Sequence, residues 1–252
     1  MAVVRPLVTV VLGVVALGQG ACGGSGRPPT AAVAPAAPLA IDTVGLPSIR
    51  FTPGSTSGIL EDSLSVGAPS SYVLRADEGQ VMLVHAIAWP VEEWQDPPPE
   101  PQVRVYSAVS GSELPTPRAE PEVWSARLPQ TGEYVVRVAV DQPTRYTLSV
   151  QIPRLVPLRP GDPVAIFTGA APSRAPIDYL LHAEAGWTLE AVLGGAPGIG
   201  LHVYGLDDGV QLARLADRQR LYAGRIERAQ DYVVSVIPGA ERAAYDLRIS
   251  LK

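Results

Sequence analysis

From about residue 50 onward, apolar and polar positions alternate with a period of two in short runs broken by glycine, proline and acidic residues. This is the pattern of half-buried β-strands joined by turns. Tyr72-Val73-Leu74-Arg75-Ala76 and the run Gln80 to Ala88 flank the turn residues Asp77-Glu78-Gly79. Val103 to Tyr106 follows, then Tyr134-Val135-Val136-Arg137-Val138 and Tyr146-Thr147-Leu148-Ser149-Val150. The same succession returns as Tyr179 to Ala183, Trp187 to Leu193, Leu201 to Tyr204, Tyr232 to Val236 and Tyr245 to Ile249. The last two runs of each series read as a hairpin that closes a domain.

The recurrence holds residue by residue. At an offset of 107, Pro53-Gly54 matches Pro160-Gly161, Tyr72 matches Tyr179, Leu74 matches Leu181 and Gly79 matches Gly186. At an offset of 98, Val105-Tyr106 matches Val203-Tyr204, Gly111 matches Gly209, and Tyr134-Val135-Val136 matches Tyr232-Val233-Val234. One further residue of slippage aligns Tyr146 and Leu148 with Tyr245 and Leu247. Such a register is the signature of an internal duplication.

Gln211 to Tyr222 has helix-forming composition, but its counterpart, Glu113 to Trp124, carries Pro115, Pro117 and Pro121. Prolines break a helix interior, so the repeat favours loop and strand in both copies. The expected fold class is all-β: two tandem antiparallel β-sandwich domains, jelly-roll-like, after a signal peptide and a flexible tether. The expected boundaries are 1–22 for the signal and lipidation cysteine, 23–44 for the linker, 45–152 for the first sandwich and 153–252 for the second.

Each copy resembles the bacterial pre-peptidase C-terminal type of β-sandwich. The residues that carry the resemblance in the first copy are Pro53-Gly54, Ser71-Tyr72, Gly79, Gly132-Glu133-Tyr134 to Val138 and Tyr146-Thr147-Leu148. In the second they are Pro160-Gly161, Asp178-Tyr179, Gly186, Asp231-Tyr232 to Val236 and Tyr245-Asp246-Leu247. The second copy departs by placing Gln230 where Gly132 stands, which implies a different turn there. The resemblance implies accessory modules that bind or assist rather than catalyse, and a related sandwich occurs in periplasmic inhibitors of goose-type lysozyme.

The N-terminus sets the expected address. Arg5 precedes an apolar core from Leu7 to Leu17, too short for a bilayer span of about 20 residues, and small residues Gly20 and Ala21 precede Cys22. This is the form of a bacterial lipoprotein signal with Cys22 as the lipidation site. Cys22 is the single cysteine, so no disulfide within the chain is expected. Gly23 to Ala40, rich in Gly, Pro and Ala, reads as an extended tether. Membrane contact is expected through the N-terminal lipid only, at the outer membrane, periplasm or cell surface. A net charge of −5, without a run of Lys or Arg, argues against nucleic acid as a partner.

Signatures of catalysis are missing. In Gly54-Ser55-Thr56-Ser57-Gly58 threonine holds the place of a nucleophile, and the stretch lies before a strand rather than at a strand-to-helix elbow. Gly195 to Gly200 has the wrong glycine order for a dinucleotide loop. The three histidines, His85, His182 and His202, fall in expected strands as half-exposed residues without metal-ligand spacing. Asp207-Asp208 reads as turn chemistry. No catalytic residue, metal or cofactor is therefore expected.

One insertion stands apart. The first copy carries extra residues between Ala86 and Val103, including Trp89, Glu92, Glu93, Trp94, Asp96 and a proline run. Aromatics are enriched at binding hot spots and prolines limit the entropy lost on binding, which makes these five residues the candidate partner-binding loop. The alternative is that Trp89 or Trp94 covers a sandwich edge or packs on the second copy. The function expected from the sequence is an exported, lipid-anchored, non-enzymatic binding or assembly protein that contacts an envelope protein or polysaccharide. The alternative is an inhibitor of a cell-wall-degrading enzyme.

Overall fold

The computed structural model describes residues 39–89, 99–118, 120, 122–214 and 219–252, which belong to a single packed unit. Cys22, Glu92, Glu93, Trp94 and Asp96 lie outside the described residues. In the first half run β1 (Ser57–Leu64), β2 (Ser70–Ala76), β3 (Val81–Trp89), β4 (Gln102–Ser107), β5 (Val123–Arg127), β6 (Gly132–Ala139) and β7 (Thr144–Gln151). The second half holds β8 (Leu155–Val156), β9 (Ala165–Ala171), β10 (Ile177–Ala183), β11 (Thr188–Gly195) and β12 (Gly200–Gly205). It continues with β13 (Gln211–Ala213), β14 (Leu221–Arg225), β15 (Gln230–Ile237) and β16 (Ala243–Leu251). No helix occurs among the described residues, and the antiparallel all-β class read from the alternation holds. Strand, not helix, is also what the described part of Gln211 to Tyr222 forms.

The sheets order as β2-β6-β4 and β1-β7-β3-β5 in the first half, and β13-β12-β15-β10-β8 and β14-β11-β16-β9 in the second. The pairing registers correspond under the sequence offsets. Tyr72 faces Val136 as Tyr179 faces Val234, Leu83 faces Ser125 as Glu190 faces Ala223, and Ile59 faces Ser149 as Ile166 faces Arg248.

The closing hairpins expected from sequence do not form. β6 pairs with β2 and β4, whereas β7 pairs with β1 and β3 in the other sheet. Tyr134, Val136 and Val138 therefore meet Tyr146, Leu148 and Val150 across one core instead of lying beside them. Pairing the two strands would have put both apolar sets on one face with nothing opposite, so core burial overrides the local turn signal. The turn at Asp77–Gly79 likewise carries the chain from one sheet to the other, with Gly79 at φ 78°.

The recurring tyrosines mark this crossing. Tyr72 donates to Asp62 at 2.6 Å and its hydroxyl meets that of Tyr146, while Tyr179 and Tyr245 meet at 2.6 Å in the second half. Burial raises the pKa of Tyr72, Tyr146 and Tyr179, so these phenols keep their protons at any physiological pH. The Tyr134 hydroxyl donates to the Gln130 carbonyl, and Tyr232 to the Arg228 carbonyl at 2.7 Å, each pinning the turn before its strand. Gln230, where Gly132 stands in the first half, accepts from the Asp207 amide at 2.9 Å and donates to Asp208 at 2.7 Å.

Between the halves, the β1-β7-β3-β5 sheet packs its outer face on the β13-β12-β15-β10-β8 sheet. Val81 and Leu83 of β3 cluster there with Leu180, Tyr204, Leu206 and Val233. Met82, Val84 and Ala86 of the same strand turn the other way, into the first core. A strand buried on both faces reads as a continuous apolar run, which is how Val81-Met82-Leu83-Val84 is written. Under the repeat, the partner of the buried β1-β7-β3-β5 sheet is the outermost sheet of the second half, so this contact joins unlike faces.

Candidate functional site

Trp89, the described member of the candidate loop, ends β3 half-buried. Its carbonyl accepts from the Thr144 hydroxyl at 2.9 Å. Two guanidiniums approach its ring, Arg145 at 5.5 Å from the cross-strand position and Arg174 at 4.4 Å from the second half. Arg174 adopts φ 54°, an uncommon conformation for a residue other than glycine. Its amide donates to Gly239 at 3.2 Å and its guanidinium to Ser173 at 3.3 Å. The indole thus touches the second half.

The sheet-to-sheet contact holds a polar cluster that the sequence reading missed. His85 Nε2 lies 3.0 Å from Asp178 Oδ2, with side-chain exposures of 4% and 0%. Gln151 donates to the same carboxyl oxygen at 2.7 Å and to the Pro176 carbonyl at 2.7 Å, and its own oxygen accepts from the Asp178 amide at 3.2 Å. Beside this group, Arg118 lies 3.7 Å above the Tyr204 ring, 2.8 Å from Glu120 and 3.5 Å from His202 Nε2. His85 and His202 are buried, not half-exposed as the lone-strand reading expects, because each faces the opposite half. His182 is the exposed one, held by Asp231 at 2.9 Å and Glu184 at 3.3 Å.

Ser149 stands opposite His85 in the β3–β7 register, so a serine, a histidine and an aspartate share this layer. Among the described residues the Ser149 hydroxyl has no hydrogen-bond partner, and its side chain is closed to solvent. A nucleophile needs its base within hydrogen-bond reach and a path for substrate. What the arrangement does is tie the two halves together, with His85 and Gln151 of the first both bonded to Asp178 of the second. Among the described residues no group of three or more His, Cys, Asp or Glu could hold a metal ion.

Burial, assisted by the Arg118 charge, drives the His202 pKa down to about 3. The folded state therefore binds fewer protons at this site than the unfolded chain, whose histidine titrates near 6.5. Stability from His202 is fully present above about pH 6.5 and is lost as pH falls toward 3. His85 and Asp178 face the same imidazole and enter the same balance. His182 acts with the opposite sign, its pKa raised first by Asp231, but it is exposed and its effect is screened. Between pH 6.5 and 5 the unfolding free energy should fall by about 2 kcal/mol through His202. Urea midpoints of the native chain and of His202→Gln across that range check this, and equal slopes would exclude it.

No family model and no curated protein matches the chain. Among the solved structures that do match is a periplasmic inhibitor of g-type lysozyme from Aeromonas hydrophila, at 19% identity and TM-score 0.35, over 39% of this chain and 94% of that one. The CUB1-EGF-CUB2 domain of human MASP-1/3 matches at 8% identity and TM-score 0.24, over 78% of this chain and 100% of that one. The STIV MCP matches at 8% identity and TM-score 0.21, over 77% and 96%.

Proposed function

We propose that this chain is an exported, lipid-anchored binding protein of the cell envelope that holds a protein or polymer partner and performs no chemistry of its own. The observation that carries the reading is where the reactive side chains go. His85, Asp178, His202 and Arg118 are spent on joining two sandwiches and are sealed from any substrate. Among the described residues, the half-buried indole of Trp89 forms an aromatic corner outside that contact, suited to presenting a surface. Cys22 after its apolar core supports the anchor.

The full-length chain in detergent should retain an envelope partner that Trp89→Ala loses by at least about tenfold, the size expected for an aromatic hot spot. Arg174→Gln removes the guanidinium above the indole while leaving the ring. Retention by Arg174→Gln with loss by Trp89→Ala assigns the indole to the partner. Equal capture by all three baits would return Trp89 to a purely structural role, and turnover of an envelope substrate by pure protein would overturn the reading.

A further inference from the structure

A cleft of about 610 Å3 opens where the two halves meet beside the Asp77–Gly79 turn. Its wall carries Arg75, Arg127 and Arg154 against a single carboxylate, Asp77, in a chain whose net charge is −5. Its floor is apolar, with Val81, Ile152 and Leu180 among its residues. The volume falls in the range of ligand sites, about 300–1,000 Å3, and junctions between packed units are preferred places for them.

The repeat shows that this basicity is not a general property of the fold. The second-half equivalent of Arg75 is His182, which is closed off by hydrogen bonds to Asp231 and Glu184. In the first half the cross-strand neighbour of Arg75 is Glu133, the equivalent of Asp231. Glu133 instead accepts from the Thr43 hydroxyl at 2.8 Å, in the segment that leads into the fold. Arg75 and Arg154 are exposed, and their side chains make no hydrogen bond or ion pair with any described residue. Arg127 is fixed in place, donating to the Gly79 carbonyl at 2.7 Å and paired with Asp231.

We infer that this cleft binds an acidic peptide segment, with a carboxylate held by Arg75 and Arg154 and adjacent apolar side chains on the Val81, Ile152 and Leu180 floor. Guanidinium forks match carboxylates in two-pronged geometry. The apolar floor favours a carboxylate on a hydrocarbon stem over a bare, strongly hydrated anion. The assignment shares with the preceding reading the premise that the chain binds, but not its site.

The test is a calorimetric titration of the full-length chain in detergent with an N-acetylated, C-amidated pentapeptide alternating leucine and glutamate. The same peptide with glutamine for glutamate, and inorganic phosphate, serve as comparisons. The acidic peptide should bind at least about tenfold more tightly than either, since a charge-assisted contact outweighs a neutral one by about 1.4 kcal/mol or more. Arg75→Gln and Arg154→Gln, both unpaired surface positions that the fold can spare, should each weaken it about tenfold, while Trp89→Ala leaves it unchanged. Equal affinity for the glutamine peptide, equal affinity for phosphate, or no heat at about 10 mM peptide would each overturn the assignment. Because Trp89→Ala separates the two surfaces, peptide binding can fail while envelope capture survives, and the reverse.

Discussion

Replacing Asp178 with alanine is expected to lower the unfolding free energy by about 3–5 kcal/mol, the range for removing one member of a buried, hydrogen-bonded pair. The carboxyl group meets His85 at 3.0 Å and Gln151 at 2.7 Å, and nothing else described would take its place on Gln151 Nε2 except the Pro176 carbonyl already bonded there. The variant would leave an imidazole and an amide facing a gap in a layer without water access, where an unsatisfied group costs about 1–3 kcal/mol. At the equivalent first-half position, the Ser71 hydroxyl accepts from Arg137 at 3.4 Å on an outer sheet, and Ser71→Ala should change stability by less than about 0.5 kcal/mol. Urea unfolding of the two variants makes the comparison. A loss below about 1 kcal/mol for Asp178→Ala would mean that the cluster does not tie the halves together.

The strands and the duplicated register were legible because alternation and turn residues are local. Gly111 and Gly209 show how far that reaches. Both are at positive φ, 68° and 67°, and at each a Cβ would run into backbone from a distant part of the chain, at Leu39 for Gly111 and at Pro117 for Gly209. One sequence match therefore encodes both a turn and a packing contact. Pairing partners were not legible. Tyr134 to Val138 and Tyr146 to Val150 alternate identically whether they share a sheet or face each other, and only the need to cover both apolar sets decides.

The buried cluster between the halves was missed for a related reason. Each of its residues, taken alone, is an ordinary polar residue in a strand. The signal that could have found it lies in the mismatches of the repeat rather than its matches. Leu83 and Ser149 in the first half stand where the second half has Glu190 and Arg248, while Ser235 and His202 stand where the first half has Arg137 and Arg104. At these four positions a charged side chain of one half is replaced in the other by an apolar or neutral polar one, on the two faces that meet. The insertion after Trp89 drew notice because it broke the repeat by length; these positions broke it by polarity alone.

Leu83→Glu should be the most disruptive single change on that contact. Leu83 is fully buried among Val81, Leu180, Tyr204, Leu206 and Val233, with no cation among them. Losing the leucine forfeits about 1.5–3 kcal/mol of burial, and a buried carboxylate without a partner costs several more. The two halves keep separate cores, so the cheaper response is for the sheets to part. The native chain should unfold in one transition and the variant in two. Proteolysis in the segment 152–155 should speed up by at least about tenfold, as an opening costing 1.4 kcal/mol less predicts. The reciprocal change, Glu190→Leu, removes only an exposed pair with Lys252 and should move stability by less than about 1 kcal/mol. It would, however, enlarge an outer face on which Ile166, Val192 and Leu221 are already exposed. That face is the repeat equivalent of the one the first half buries, so added apolar area there invites a second molecule to stack, and sedimentation should show concentration-dependent association. A single transition for Leu83→Glu with less than about 2 kcal/mol lost would show that the sheets do not seal against each other, and the roles assigned to His85, Asp178 and His202 would fall with it.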